Sequence, residues 1–212
     1  MKKKIFAAVL AGAMMLAVSG CNFSYSFNIG GRFSEKQAIS VFEDTLDAEE
    51  FDTEDLIDAC EDNDFDDDFE DGVWVKLDKS ETKDLFKAMN ASEFFPSVKG
   101  TNSAVAYLKT NDISEYDRYV EFICVMQLED KDTADDFFDD TLEKWNDLSD
   151  DIDFDDDDLN EAYVHYESYG NELYLGIYRD QKQVALAICI NETDELDDFC
   201  DEFDITSPSS LD

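Results

Sequence analysis

The sequence predicts an α+β fold: a single antiparallel-sheet domain with packed helices. Three observations carry this. Helix-like and strand-like segments come mostly in blocks rather than in strict alternation. Between Thr133 and Leu148, apolar residues recur at 3.6-residue spacing. The last three strand-like runs are separated by short turn signals, as a meander requires.

The elements follow in order. Ser34 with Gln37 three residues later forms a capping-box pattern. Behind it Ala38, Val41, Phe42, Thr45 and Leu46 share one helix face. A short helix carries Leu56, Ile57 and Cys60, and a third covers Ser80 to Met89. Strands are expected at Val73–Leu77, Ser103–Lys109 and Tyr119–Leu128. The strongest helix, Thr133–Leu148, turns Ala134, Phe137, Phe138, Thr141, Leu142, Trp145 and Leu148 inward. Its outer face is Asp135, Asp136, Asp139, Asp140 and Glu143. Three strands end the sheet: Ala162–Tyr169, Glu172–Arg179 and Lys182–Ile190. Their expected turns are Gly170-Asn171 and Asp180-Gln181. A last helix, Thr193–Phe203, buries Leu196, Phe199, Cys200 and Phe203. Its run back across the sheet predicts Cys200 near Cys189 but not bonded to it, because stacked layers stand wider than a disulfide reaches.

An internal echo suggests two halves, 34–128 and 131–203. Asp62-Asn63-Asp64-Phe65-Asp66-Asp67-Asp68 matches Asp151-Ile152-Asp153-Phe154-Asp155-Asp156-Asp157. In both copies a helix precedes and a strand follows, which reads as a repeated α-β-β-β unit with residues 80–100 inserted in the first. Residues 204–212, with Ser207-Pro208-Ser209-Ser210, read as a disordered tail.

Charge narrows the function classes. The chain has 212 residues, 55 of them acidic and 16 basic, for a net charge of -39. Nucleic acid is excluded as a partner, because binding phosphates needs a basic surface. Hydrophobic residues at 43% and aromatics at 13% are too many for a disordered acidic chain.

The N-terminus reads as an address. Lys2, Lys3 and Lys4 precede an apolar run from Ile5 to Val18, too short and wrongly flanked for a membrane span. The run ends Val18-Ser19-Gly20-Cys21. This resembles the lipobox of bacterial lipoproteins: an aliphatic residue, two small residues, then Cys. The resemblance implies that residues 1–20 are a signal peptide, that cleavage precedes Cys21, and that palmitate-type acyl chains on Cys21 hold the protein on the extracytoplasmic face of a bacterial membrane. Several acyl chains anchor far better than one, at about 0.8 kcal/mol per buried methylene. Residues 21–33, with Gly30-Gly31, then form a flexible tether, of which Asn22 to Phe33 spans about 40 Å when stretched. Losing three lysines leaves 13 basic residues against 55 acidic, a net charge of -42.

Catalytic signals are sparse. The single His is His165, and no Gly-rich phosphate loop or nucleophile elbow is present. Carboxylates are so abundant that no pair stands out, and no catalytic residue is assigned. No cofactor is expected; calcium is the one candidate, with Asp64, Asp66, Asp68, Asp153, Asp155 and Asp157 as ligands. The spacing departs from the EF-hand, which needs Gly at position 6 and Glu at 12. Those positions hold Asp67 and Val73 in one run and Asp156 and Ala162 in the other. A solvated acidic loop accounts for the runs equally.

The terminal meander carries the candidate ligand site. One face, with Val164, Tyr166, Leu173, Leu175, Ile177, Val184, Leu186 and Ile188, suits the helix at 133–148. The other carries Tyr163, His165, Tyr174 and Tyr178 around a floor of Gly176, Ala185 and Ala187. The expected turns pair Tyr163 with Tyr178, His165 with Gly176, and Glu167 with Tyr174. Aromatics around small residues leave a concavity, open to a ligand or filled by a helix. His165, a lone His on a half-buried strand, reads as a hydrogen-bonded structural residue, with Glu167 two residues away on the same face. The expectation is an exported, lipid-anchored, highly acidic binding or interaction module of the cell envelope, without catalysis, whose ligand is an extracytoplasmic molecule or protein. A calcium-dependent surface protein and an enzyme acting on an extracellular polymer are the alternatives.

Overall fold

The computed structural model describes residues 33–65, 69–111, 119–148, 161–168 and 171–210. Seven strands form one sheet: β1 (Glu49–Glu50), β2 (Val73–Asp78), β3 (Thr101–Thr110), β4 (Val120–Leu128), β5 (Glu161–Ser168), β6 (Asn171–Asp180) and β7 (Gln183–Ile190). Their order is β1-β2-β3-β4-β7-β6-β5. All neighbours are antiparallel except β1 and β2. The sheet is therefore mixed at one edge. The two-residue strand β1, both of whose residues are Glu, carries no apolar periodicity by which a sequence would announce it.

Five α-helices lie among the described residues: α1 (Glu35–Asp44), α2 (Thr53–Asp62), α3 (Lys79–Ala88), α4 (Lys131–Leu148) and α5 (Asp194–Phe203). Caps set their starts. Asp52 accepts from the Glu54 and Asp55 amides, and Asp78 with Glu81 closes a full capping box on α3. At α1 only half the expected box forms: Ser34 accepts from the Gln37 amide, while the Gln37 side chain meets the Ser34 hydroxyl. Asp130 accepts from the Thr133 amide and hydroxyl, so α4 begins at Lys131, ahead of the expected Thr133.

The helices split between two layers. α2, α3 and α4 cover one face, where Val75, Ala106, Phe122, Leu186, Leu175 and Val164 form the larger core. Trp145 anchors α4 by donating to the Phe94 carbonyl at 2.9 Å. α1 and α5 cover the other face, over Trp74, Tyr107, Val125, Ala185 and Tyr178. The topology repeats a helix and a three-stranded meander, α2-β2-β3-β4 and α4-β5-β6-β7, with both helices on the same face. α3 and a short 3-10 turn at Ala91–Glu93 occupy the interval expected as an insertion.

Four expectations need correction. β5 and β6 pair Ser168 with Asn171, so the connection is 169–170, not Gly170-Asn171. β6 and β7 pair Asp180 with Gln183, and the turn is Gln181-Lys182, with Gln181 at φ +54°. Each slip moves a partner by two residues, which changes pairings but keeps every side chain on its face. Phe33, expected at the end of the tether, is 1% exposed and packs on Phe203 and Tyr178. Residues 204–210, expected as a disordered tail, fold back on the sheet and end in a 3-10 turn at Pro208–Ser210.

Candidate functional site: the tyrosine face

The corrected register places Tyr163 opposite Gly176, His165 opposite Tyr174, and Glu161 opposite Tyr178. Gly176 is required by packing: a Cβ there would lie 2.8 Å from the Tyr178 hydroxyl and 2.9 Å from its ring. The Tyr178 ring thus lies flat over its own strand, and its hydroxyl reaches sideways. It donates to the Thr206 carbonyl at 2.8 Å and sits 3.6 Å from Cys200 Sγ. Burial, then the Cys200 thiol, hold the Tyr178 phenol well above its ordinary pKa. Burial first, then Glu161, raise Tyr163, while the Thr206 side chain partly offsets this.

The face is covered in three parts. α1 lies over β3 and β4, α5 crosses β4, and the 206–210 segment covers β5 and β6. Of the four candidate residues, Tyr163 and Tyr178 are buried beneath this cover. His165 and Tyr174 are half-buried and stack face to face, with centroids 4.4 Å apart and planes 2° from parallel. Tyr174 donates to Glu172 at 2.8 Å, and His165 Nε2 is shielded without a partner. Gly176, Ala185 and Ala187 make close packing of the cover possible, the use of small residues opposite to an open floor. The Glu167 side chain lies outside the described residues.

The path of the 204–210 segment follows from how α5 ends. Asp204 takes φ +52°, its amide donates to Asp201, and the Ile205 amide donates to Cys200. This is a Schellman turn with Asp where Gly is usual. It directs the chain back between α5 and β5. The Thr206 amide donates to Glu161 at 2.9 Å, the Ser207 hydroxyl donates to Asp197, and Ser209 Oγ donates to Asp197 at 2.6 Å. Pro208 is buried.

A second polar cluster escaped the sequence reading. Glu121 is fully buried on β4, directly opposite Lys109 on β3. Its Oε2 accepts from the Glu195 amide at 3.3 Å, capping α5, whose Thr193 supplies no side-chain cap. Lys109 pairs with Glu195 at 2.5 Å. Burial first, then Glu195, push Glu121 up to about 8. The signal was present: Glu121 is the one charge inside the run Tyr119–Met126, and a charge in such a run must have a partner.

Of the metal candidates, Asp64 lies beside an acid-lined hollow of about 310 Å³ with Asp55, Asp58, Asp62 and Phe69. A larger hollow of about 590 Å³ at the β1 edge is lined by Asp47, Glu49, Glu50, Phe51, Asp71 and Gly72. No group of three or more ligating side chains arranged for a metal ion occurs among the described residues. Asp66, Asp68, Asp153, Asp155 and Asp157 lie outside the described residues, as does Cys21. Phe65 is buried, edge-on to Phe69 at 5.1 Å. Cys189 and Cys200 are buried free thiols, as their expected geometry predicts, and Cys60 and Cys124 are buried and free as well. No protein-family model, curated protein or solved structure matches the chain.

Proposed function

We propose that the chain is a binding module held on the extracytoplasmic face of a bacterial membrane by lipid on Cys21. The observation that carries the reading is the ordered signal: a lysine cluster, an uncharged apolar run and Val18-Ser19-Gly20-Cys21. The domain begins soon afterwards, since Phe33 is already core, so the eleven residues 22–32 join lipid to fold. Binding rather than catalysis is supported by what the buried carboxylates do. Glu121 and Glu161 hold the backbone amides of Glu195 and Thr206, which are fixing tasks. The ligand surface is the half-buried His165–Tyr174 stack of the tyrosine face, beside the groove that residues 206–210 fill.

Cell fractionation tests the anchoring. The wild-type chain is expected in the membrane pellet and Cys21→Ala in the soluble extracytoplasmic fraction. Equal retention of both in the pellet overturns the proposal.

A further inference from the structure

The 206–210 segment sits in its groove in an unusual way. Almost everything that holds it is polar, and the two central bonds address backbone. Glu161 takes the Thr206 N–H at 2.9 Å and Tyr178 gives its O–H to the Thr206 carbonyl at 2.8 Å. A carboxylate and a phenol grip both backbone groups of Thr206 while Tyr163 meets its side chain, and the residues that follow wind into the 3-10 turn at Pro208–Ser210, so the groove recognises a peptide entering a turn. Flanking specificity is for small hydroxyls, through Asp197 to Ser207 and Ser209, and for one proline ring, through the buried Pro208. Fixed, buried polar groups of this kind are how peptide sites achieve orientation.

The floor is also built to survive uncovering. Tyr163, Tyr178 and Glu161 present hydroxyl and carboxylate groups, whereas the neighbouring cover, α5, seats Leu196, Phe199 and Phe203 on an apolar surface. Lifting α5 would expose the core; lifting 206–210 would expose hydrogen-bonding groups and one proline-sized hollow. Local opening is favoured where few apolar contacts are lost.

We propose that residues 206–210 are an intramolecular plug in a peptide-binding groove floored by Tyr163, Tyr178 and Glu161, and that a partner segment forming the same Thr-Ser-Pro-Ser turn binds when the plug leaves. This rests on the binding-module reading, but its test does not involve Cys21, so the two fail separately.

The test uses the full chain and a labelled synthetic peptide, Asp-Ile-Thr-Ser-Pro-Ser-Ser, copied from residues 204–210. Ser207→Asp with Ser209→Asp sets two new carboxylates against Asp197 and ejects the plug. Fluorescence polarisation is expected to show at least tenfold tighter peptide binding to this double variant than to wild type. Adding Tyr178→Phe is expected to cancel most of the gain. Equal binding by variant and wild type, or none by a cooperatively folded variant, overturns the proposal. Hydrogen exchange on the wild-type chain decides independently if the variant fails to fold. The Thr206 amide is expected to exchange at least a hundredfold faster than the Leu175 amide in β6, by an opening insensitive to low denaturant. Exchange of Thr206 only through global unfolding overturns the plug.

Discussion

At Glu121 a carboxylate sits between Val120 and Phe122, fully buried, with one oxygen on the Glu195 amide and the other unpartnered. Its folded pKa is raised to about 8 from 4.5, so the folded state binds this proton more tightly than the unfolded state. The sign follows: the group costs nothing below its unfolded pKa, and stability falls as pH rises from there through about 8. Glu121→Gln keeps an acceptor for the Glu195 amide and removes the titration. Urea unfolding from pH 5 to 9 is expected to show a flatter stability profile for the variant and higher stability than wild type at pH 9. A variant that is less stable than wild type at pH 9 contradicts this assignment. Asp204, at φ +52° in the Schellman turn, gives a second residue-scale outcome. Asp204→Gly relieves the left-handed penalty and is expected to stabilise by up to about 1 kcal/mol; a lower urea midpoint would show the turn is not strained as described.

Among the elements, β6 shows how packing and register fix the tyrosine face together. Tyr178 can lie over Gly176 only because that position has no Cβ. Gly176→Ala is expected to displace the ring, break its bond to Thr206 and destabilise by about 1–3 kcal/mol. A cost within error of zero would show that the ring can shift freely. The same strand marks the boundary of what the sequence made legible. The alternation of Leu173, Leu175 and Ile177 against Tyr174, Gly176 and Tyr178 assigns faces correctly. It says nothing of which residues turn, because a slip of two leaves the alternation intact. Likewise the apolar stripe of α5 predicts its buried face, but the Asp204 turn is carried by an ordinary-looking Asp. The return of 206–210 depends on Glu161 and Tyr178, distant in sequence and silent as a pattern.

Across the whole molecule the sequence carries 55 acidic residues against 16 basic, and the described strands share one sheet. Composition alone predicts a folded domain. The antiparallel blocks predict the layering of helices on a sheet. What composition conceals is where covers meet: whether the tyrosine concavity is open depends on α1, α5 and the C-terminal segment converging, and none of their amphipathic faces names its partner. The ion pairs Lys79–Glu129 and Lys87–Glu61 are exposed and contribute little. Repulsion among the excess acidic residues opposes the compact state. Screening it is expected to raise the melting temperature from low salt to about 0.15 M sodium chloride, where the Debye length is about 8 Å. A melting temperature that stays level or falls contradicts this.

Anchoring through Cys21 is the claim on which the functional account depends most. It is tested most directly by intact mass spectrometry of the protein extracted from membranes. The expected product is a chain that starts at Cys21 and is heavier than the polypeptide by the mass of its acyl chains. A chain that retains residues 1–20, or that starts at Cys21 with no added mass, would contradict it.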